Sequence, residues 1–319
     1  SPSANGDGAP DLYFADGDSG GTELIDFNNR VLINDGNGFF TDETAAVIPD
    51  PDLRASGIWS TGLISDMNDD GANDVLRQVV SPPLPGLSIT YNDPSNIGAL
   101  NEQDELAANT PTHISVGELN NDGLPDIALT TDVTDRALLN LGNDDQGNAE
   151  FVSVALPEAS TESGFPAFGG DSVIADLDND GFNDIIITDV DEVIAGCSRF
   201  TNMYRNNANP PDVTFTRASA AVPEPAMQGV HDAAVFDING DGAPDLVLGR
   251  CNSTAVWIQD VEAICHADLN GSGQINVADL LQLLGNWGTA DAGSDLATPN
   301  DVVDVADLLI LLSAWGPCE

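Results

Sequence analysis

Oxygen-bearing side chains recur along this chain at one fixed spacing. Asp66, Asn68, Asp70 and Asp74 occupy positions 1, 3, 5 and 9 of a nine-residue stretch, with Gly71 at position 6. The pattern returns as Glu118, Asn120, Asp122 and Asp126 around Gly123, as Asp176, Asp178, Asp180 and Asp184 around Gly181, and as Asp237, Asn239, Asp241 and Asp245 around Gly242. A clipped copy opens the chain with Asn5, Asp7 and Asp11 around Gly8, and Ser3 stands where its position 1 falls. Such a set suits a hard cation: alternate side chains point to one side, glycine permits the sharp turn, and the position 7 carbonyl adds an oxygen. One such stretch is an ordinary Asp- and Gly-rich turn. Five at a steady period predict calcium sites.

The elements that must hold these loops follow from the period. Loops start at residues 66, 118, 176 and 237, an internal repeat of roughly 50 to 60 residues. Short apolar runs precede them (Thr112–Glu118, His231–Asp237) and follow them (Asp126–Thr130, Asp184–Thr188, Asp245–Gly249). A third run comes next (Arg30–Asn34, Ala137–Leu141, Ala255–Gln259), and usually a fourth (Phe151–Ala155, Val213–Thr216). Bounded by Gly, Asn, Asp and Pro, these runs read as strands. Four strands per repeat predict the blades of a β-propeller, in which radial repetition protects sheet edges. The expected fold class is therefore mainly β, a propeller of about five four-stranded blades over residues 1–261, followed by a small α-helical domain over 262–319. The first repeat begins at its loop and so lacks a first strand, and the last leaves for the tail before a fourth. Open sheet edges recruit further strands, so self-assembly into a head-to-tail filament through these edges is one expectation. A monomer with loop-capped blades is the other.

The loop-plus-strand unit resembles the FG-GAP/VCBS repeat family, the calcium-loop blades also found in integrin α-subunit heads, over about residues 1–261. The resemblance implies that each loop joins the first and second strands of a blade. It implies as ligands Asp66, Asn68, Asp70 and Asp74, together with the corresponding residues of the other four loops. Position 1 of the first loop departs from the pattern. Members of that family usually have seven blades, so five loops leave the closure of the ring open.

After residue 261 the apolar period becomes helical. An oxygen-rich stretch from His266 to Asp279 runs into Leu280–Gly288, and Val305–Gly316 is nearly the same helix again. A twelve-residue loop leading into an amphipathic helix, duplicated, resembles a type I dockerin module. The resemblance implies Asp268, Asn270, Ser272, the Gln274 carbonyl, Asn276 and Asp279 as ligands. The second copy departs: Asp295 to Asp307 is one residue longer, and Ala297 and Pro299 interrupt the ligand pattern. The whole chain would then hold about five to seven structural calcium ions. The resemblance also implies a protein partner for the tail, either cohesin-like or a second copy; a helical cap on the last blade is the plainer reading.

Composition narrows the remaining choices. The formal charge is −45, from 53 acidic residues against eight arginines and no lysine. Only sixteen of the acidic residues lie in the five loops, so bound cations offset a minor part of the charge. Such a surface repels nucleic acid and anionic membranes, and no apolar run reaches the ~18 residues of a membrane span. Four cysteines suggest two bridges and an oxidising compartment. Cys265 and Cys318 bracket the tail module, and Cys197 and Cys251 follow the second strands of consecutive repeats; four buried thiols is the alternative. Ser1-Pro-Ser-Ala has no signal-peptide core, so an extracellular or cell-surface protein, bacterial by its modules, would already have lost its signal. Gly17-Asp-Ser-Gly-Gly21 spells the segment around the nucleophile of chymotrypsin-like proteases. With His113, His231 and His266 as the only histidines and no second protease feature, it reads as a turn. The leading expectation is a non-enzymatic structural or adhesive protein of an extracellular assembly. A glycan-binding module and a calcium-dependent carbohydrate-active enzyme are the alternatives.

Overall fold

The computed structural model describes residues 3–16, 28–54, 60–79, 86–96, 98, 100–107, 111–131, 134–157, 169–189, 200–208, 213–218, 227–259, 267–270, 272, 274–291, 293–297, 302–313 and 315–317. The chain forms two compact units, Ser1–Gln259 and Asp260–Glu319, dividing two residues before the boundary expected from the change of period.

The first unit is a series of antiparallel meanders, each strand pairing with the next in sequence. Its first sheet holds β1 (Leu12–Phe14), β2 (Arg30–Asn34) and β3 (Phe40–Asp42), and is followed by two four-residue helices, α1 (Thr44–Val47) and α2 (Pro51–Arg54). The second holds β4 (Ser60–Ser65), β5 (Asp74–Val79), β6 (Gly86–Asn92) and β7 (Leu100–Ala107). The third holds β8 (Pro111–Gly117), β9 (Asp126–Thr131), β10 (Arg136–Asn143) and β11 (Ala149–Ala155). The fourth holds β12 (Gly169–Ala175), β13 (Asp184–Asp189), β14 (Asn202–Asn206) and β15 (Phe215–Arg217). The fifth holds β16 (Val230–Phe236), β17 (Asp245–Arg250) and β18 (Ser253–Trp257). The two end sheets have three strands among the described residues. Among the described residues, each is without the strand that counting along the sequence had left out.

Period-two alternation gives every sheet two usable faces, and the unit buries them against its neighbours. Four cores result, one per junction between consecutive sheets. Ala4, Val31, Val75 and Leu100 join the first to the second, and Met67, Leu76, Ile89, Ile114, Ile127 and Leu129 join the second to the third. Leu119, Ala128, Leu139, Ile185, Tyr204 and Phe215 fill the next junction, and Ile186, Met203, Val230, Leu246 and Leu248 the last. First strands of successive sheets (β4, β8, β12 and β16) lie side by side along the series. The two short helices have no counterpart in the sequence reading. α1 arises because Val47 and Ile48 are buried in the first junction, and the Glu43 carbonyl starts the turn by accepting from the Ala46 and Val47 amides. That junction is close enough to demand a glycine. A Cβ on Gly62 of β4 would lie 2.1 Å from Tyr13 Cε1, nearer than real Cβ contacts come.

The second unit is a duplicated loop–helix. β19 (Gln274–Ile275) leads into α3 (Val277–Gly285), and α4 (Val305–Ser313) precedes β20 (Gly316–Pro317), which pairs antiparallel with β19. Its core is Ala267, Ile275, Leu283, Val303 and Leu311. The capping chemistry is duplicated too. Asn276 caps α3 by accepting from the Ala278 amide, and Asp304 accepts from Ala306 at the same place before α4. Buried Asp279 accepts from the Asn270 and Asn276 amides, and buried Asp307 from Leu296, Ala297 and Asp304. No helix among the described residues is long and apolar enough to cross a membrane.

Candidate metal loops

The second to fifth loops sit between the first and second strands of their sheets, and the first leads into β1. Their backbone is the same throughout. Position 4 is left-handed in all five (Gly6, Asp69, Asn121, Asn179 and Gly240), and so is position 6, where Gly8, Gly71, Gly123, Gly181 and Gly242 have φ between 85° and 90°. Two left-handed residues so close together turn the alternate side chains of positions 1, 3 and 5 toward one centre, and only glycine takes the second such turn at little cost.

Each oxygen-bearing position has its own partners. The position 1 carboxylate accepts from the amide of position 6: Asp66 from Gly71 (2.9 Å), Glu118 from Gly123 (2.6 Å), Asp176 from Gly181 (2.9 Å) and Asp237 from Gly242 (2.9 Å). In the first loop Ser3 is buried and donates to Asn5 and Asp7 instead. Position 5 accepts from the amide of position 7, as in Asp70 with Ala72 and Asp180 with Phe182 (both 2.9 Å). At position 3 an asparagine amide donates to the position 5 carboxylate: Asn5 to Asp7, Asn68 to Asp70, Asn120 to Asp122 and Asn239 to Asp241. The fourth loop has Asp178 there, and the Arg205 guanidinium from β14 pairs with Asp178 and Asp180.

Position 9 is the buried member. Asp11, Asp74, Asp126, Asp184 and Asp245 are each at most 3% exposed. One carboxylate oxygen accepts from the amide of position 2 (Ala4, Met67, Leu119, Leu177 and Ile238, at 2.7 to 3.1 Å). The other accepts from the backbone amide of a residue at or near the end of the strand paired beyond it, β2, β6, β10, β14 or β18 (Asn34, Asn92, Asn140, Asn206 and Gln259, at 2.7 to 2.9 Å). This role, tying the loop to the third strand, is additional to the ligand role read from spacing. In three of them burial outweighs these amide bonds and pushes the carboxyl up, to about 7 for Asp74 and Asp126 and about 6 for Asp184.

The side chains fit a cation on an observation independent of their spacing. Asn68 Oδ1 and Asp178 Oδ1, both position 3 oxygens, are buried without a hydrogen-bond partner. Buried oxygens are rarely left so, and a cation is a natural partner for both. Asp176, Asp178 and Asp184 bring carboxylate oxygens within 4.8 Å of one another, close enough to hold a metal ion. In the tail, Asp268 accepts from the Ser272 amide, and the Ser272 hydroxyl donates to the Gln274 carbonyl. Asn270 contributes its backbone amide to Asp279.

Two features were missed from the sequence. The first is a set of asparagine staples. Side-chain amides of Asn92, Asn140 and Asn206 donate to the position 2 carbonyl of the preceding loop, at Ala4 (2.9 Å), Met67 (2.8 Å) and Leu119 (2.7 Å). A signal existed, since Asn34, Asn92, Asn140 and Asn206 recur at or near the end of the third strand-like run in the first four repeats. The second is a polar cluster on the first strands. His113 Nε2 lies 3.5 Å from Asp171, and its Nδ1 lies 3.3 Å from the Ser172 hydroxyl, itself 2.9 Å from that of Ser115. Burial, and a hydrogen bond that the protonated Asp171 carboxyl donates to Asp232, push Asp171 to about 6, and burial pulls the His113 imidazole down. His113 is thus a partnered structural histidine, and His231 on β16 meets Cys251 Sγ at 3.2 Å. Cys251 is disulfide-bonded. Cys197, Cys265, Cys318, His266 and Gly17–Gly21 lie outside the described residues.

The raised carboxyls fix a pH dependence. A carboxyl whose folded-state pKa exceeds its unfolded value holds its proton better in the native state. Without divalent cation, stability should rise as pH falls from about 8 to about 5.5 and fall as pH rises through 7. A bound cation needs the carboxylate form, so the gain from calcium should be larger at about pH 8 than at about 5.5. Thermal melts in chelator and in calcium at both pH values test this. A chelated protein that loses stability over the same fall in pH contradicts it.

Comparison with known proteins places one segment. A family profile described as an FG-GAP-like repeat matches residues 176–248, from the fourth loop into β17. No curated protein matches the chain. Among solved structures, an Agrocybe aegerita lectin that recognises non-reducing terminal N-acetylglucosamine is 17% identical, with a TM-score of 0.49 over 77% of this chain and 58% of that one. A Bacillus licheniformis rhamnogalacturonan lyase is 12% identical, with a TM-score of 0.41 over 81% and 56%. The V. cholerae biofilm matrix protein Bap1 is 17% identical, with a TM-score of 0.34 over 63% and 30%. The chain therefore spans less than two thirds of the length of each. Residues 176–248 are similar to the FG-GAP-like repeat family.

Proposed function

We propose that this chain is a non-enzymatic, calcium-stabilised extracellular protein that builds or decorates a surface assembly. Its first unit would be the rigid, blade-like body and its second a dockerin-like attachment module. One observation carries the calcium reading: five loops share one backbone, and two of their position 3 oxygens are buried without a partner. Cations there would clamp each loop to the strands around it. The five meander sheets, with first strands side by side, support a propeller-type arrangement. Both helices of the tail support a protein partner. Val277, Leu281, Leu284 and Trp287 beside α3 are exposed, and so are their duplicates Val305, Leu309, Leu312 and Trp315 beside α4. Paired apolar stripes of this kind suit a cohesin-like partner.

Calcium should raise the melting temperature markedly, because a ligand that binds only the native state stabilises it by mass action. Elemental analysis should find about five to seven ions per chain. Asp178→Ala should lose one ion and several degrees in calcium, yet melt close to the parent in chelator. Identical melting of the parent with and without chelator would falsify the structural-cation reading. We further propose that Cys251 pairs with Cys197, which follows the equivalent strand one repeat earlier, and Cys265 with Cys318. Peptide mapping without reduction should recover both links; any other partner for Cys251 overturns the pairing.

A second reading, glycan binding, has one specific support. A cavity of about 400 Å³ between the fourth and fifth sheets is lined by Met203, Leu246 and Trp257, with Asp178, Arg205 and Gln259 at its polar side. Trp257 Nε1 is buried without a partner. An indole face with a free donor and charged neighbours is a common carbohydrate platform. Indole fluorescence titrated with acidic and neutral oligosaccharides should saturate, and Trp257→Ala should abolish the response. A flat titration across a broad glycan panel removes this reading.

A further inference from the structure

Each core of the first unit is a joint between one sheet and the next, filled by residues at fixed places in the repeat. At the joint between the second and third sheets, the third contributes Ile127, Leu129, Leu138 and Phe151. In the first sheet the same places hold Leu12, Phe14, Leu32 and Phe40. Leu12 follows Asp11 as Ile127 follows Asp126, and Phe40 pairs with Asn34 as Phe151 pairs with Asn140. Ile127 and Leu129 are 0% and 2% exposed, whereas Leu12 and Phe14 are 41% and 51% exposed.

The opposite end mirrors this. At the joint between the third and fourth sheets, the third contributes Ala128, Ala137 and Leu139. Register puts Val247, Val256 and Ile258 of the fifth sheet at those places. Ala137 and Leu139 are buried, whereas Val256 and Ile258 are 54% and 46% exposed. The series of sheets therefore begins with one half of its own joint and ends with the other half. Asn34 also carries the staple amide of Asn92, Asn140 and Asn206, and Ile238 holds the position 2 carbonyl of the last loop.

We propose that the open face of the first sheet docks on the open face of the fifth sheet in a second copy of this chain. The contact repeats, across a molecular boundary, the part of the internal joint that the two three-stranded sheets retain, with Asn34 stapling to the Ile238 carbonyl of the neighbour. This deepens the assembly reading above, but it rests on sheet packing rather than on the cation loops. The two surfaces differ, so the contact is heterologous, and successive copies add head to tail. A formal charge of −45 opposes the approach, so association strengthens with salt and with calcium.

Sedimentation velocity on the full chain in calcium and moderate salt, over a wide concentration range, tests this. The parent should form species larger than a dimer that grow with concentration. Phe14→Glu and Val256→Glu each spoil one face, and each alone should stay monomeric. Mixed in equal amounts they retain one intact pair of faces, and should form a dimer and nothing larger. Phe40→Glu and Phe236→Glu are a second pair should either of the first fail to fold, as judged by circular dichroism; Phe236 is exposed and lies on the same side of β16 as Ala234, which pairs with Val247. A parent that is monomeric throughout overturns the proposal, and so does a variant that assembles like the parent. A monomer whose melting still depends on calcium overturns the docking alone and leaves the cation reading standing.

Discussion

A buried carboxylate bridging two backbone amides is the interaction on which the first unit depends. Asp74, Asp126, Asp184 and Asp245 each close a loop onto its own start with one oxygen and hold the end of the third strand with the other. Without that bridge the loop and the meander would be separate local structures. With it, the cation-type loop becomes the corner of a sheet, and anything that orders the loop also orders three strands. The cost, at Asp74, Asp126 and Asp184, is a desolvated negative charge that the amide bonds only partly offset. Neighbouring carboxylates at positions 1 and 5 add to that cost.

The rest of the electrostatics follows from this arrangement. A fold that gathers carboxylates at five corners is short of positive charge there, and in the fourth loop the chain supplies its own in Arg205. That loop also has an aspartate at position 3 where the others have asparagine. The extra carboxylate and the arginine occur together, as a local balance of charge would require. At the first strands the balance is struck differently, because Asp171 and Asp232 share a hydrogen bond rather than each finding a cation.

Much of this was legible in the sequence, for identifiable reasons. The loops were readable because side-chain identity and left-handed glycine recur at fixed offsets. The strands were readable because short apolar runs alternate with Asp, Asn and Gly. The open strand positions at both ends followed from counting those runs. Other features were hidden by their physics. α1 and α2 are one turn each, too short to show a period. The His113–Asp171–Asp232 cluster assembles from three repeats, so no local window contains it. Arg205 pairs across more than twenty residues, and its role emerges only when β14 is laid beside the fourth loop. Burial was the least readable quantity. Leu12 and Ile127 look alike in sequence, yet one is exposed and the other enclosed.

The asparagine staple has a further consequence. Each of the first four repeats carries both the amide that reaches backward and the carbonyl at loop position 2, so the means of joining is local to the repeat and independent of how many there are. Duplication or loss of one whole repeat would leave every remaining junction chemically unchanged, and both terminal surfaces as they were. Length in such an architecture can drift over evolutionary time in steps of one sheet, whereas insertion of a few residues between a loop and its third strand would sever the carboxylate bridge. Variation among related genes should therefore be quantised in whole units.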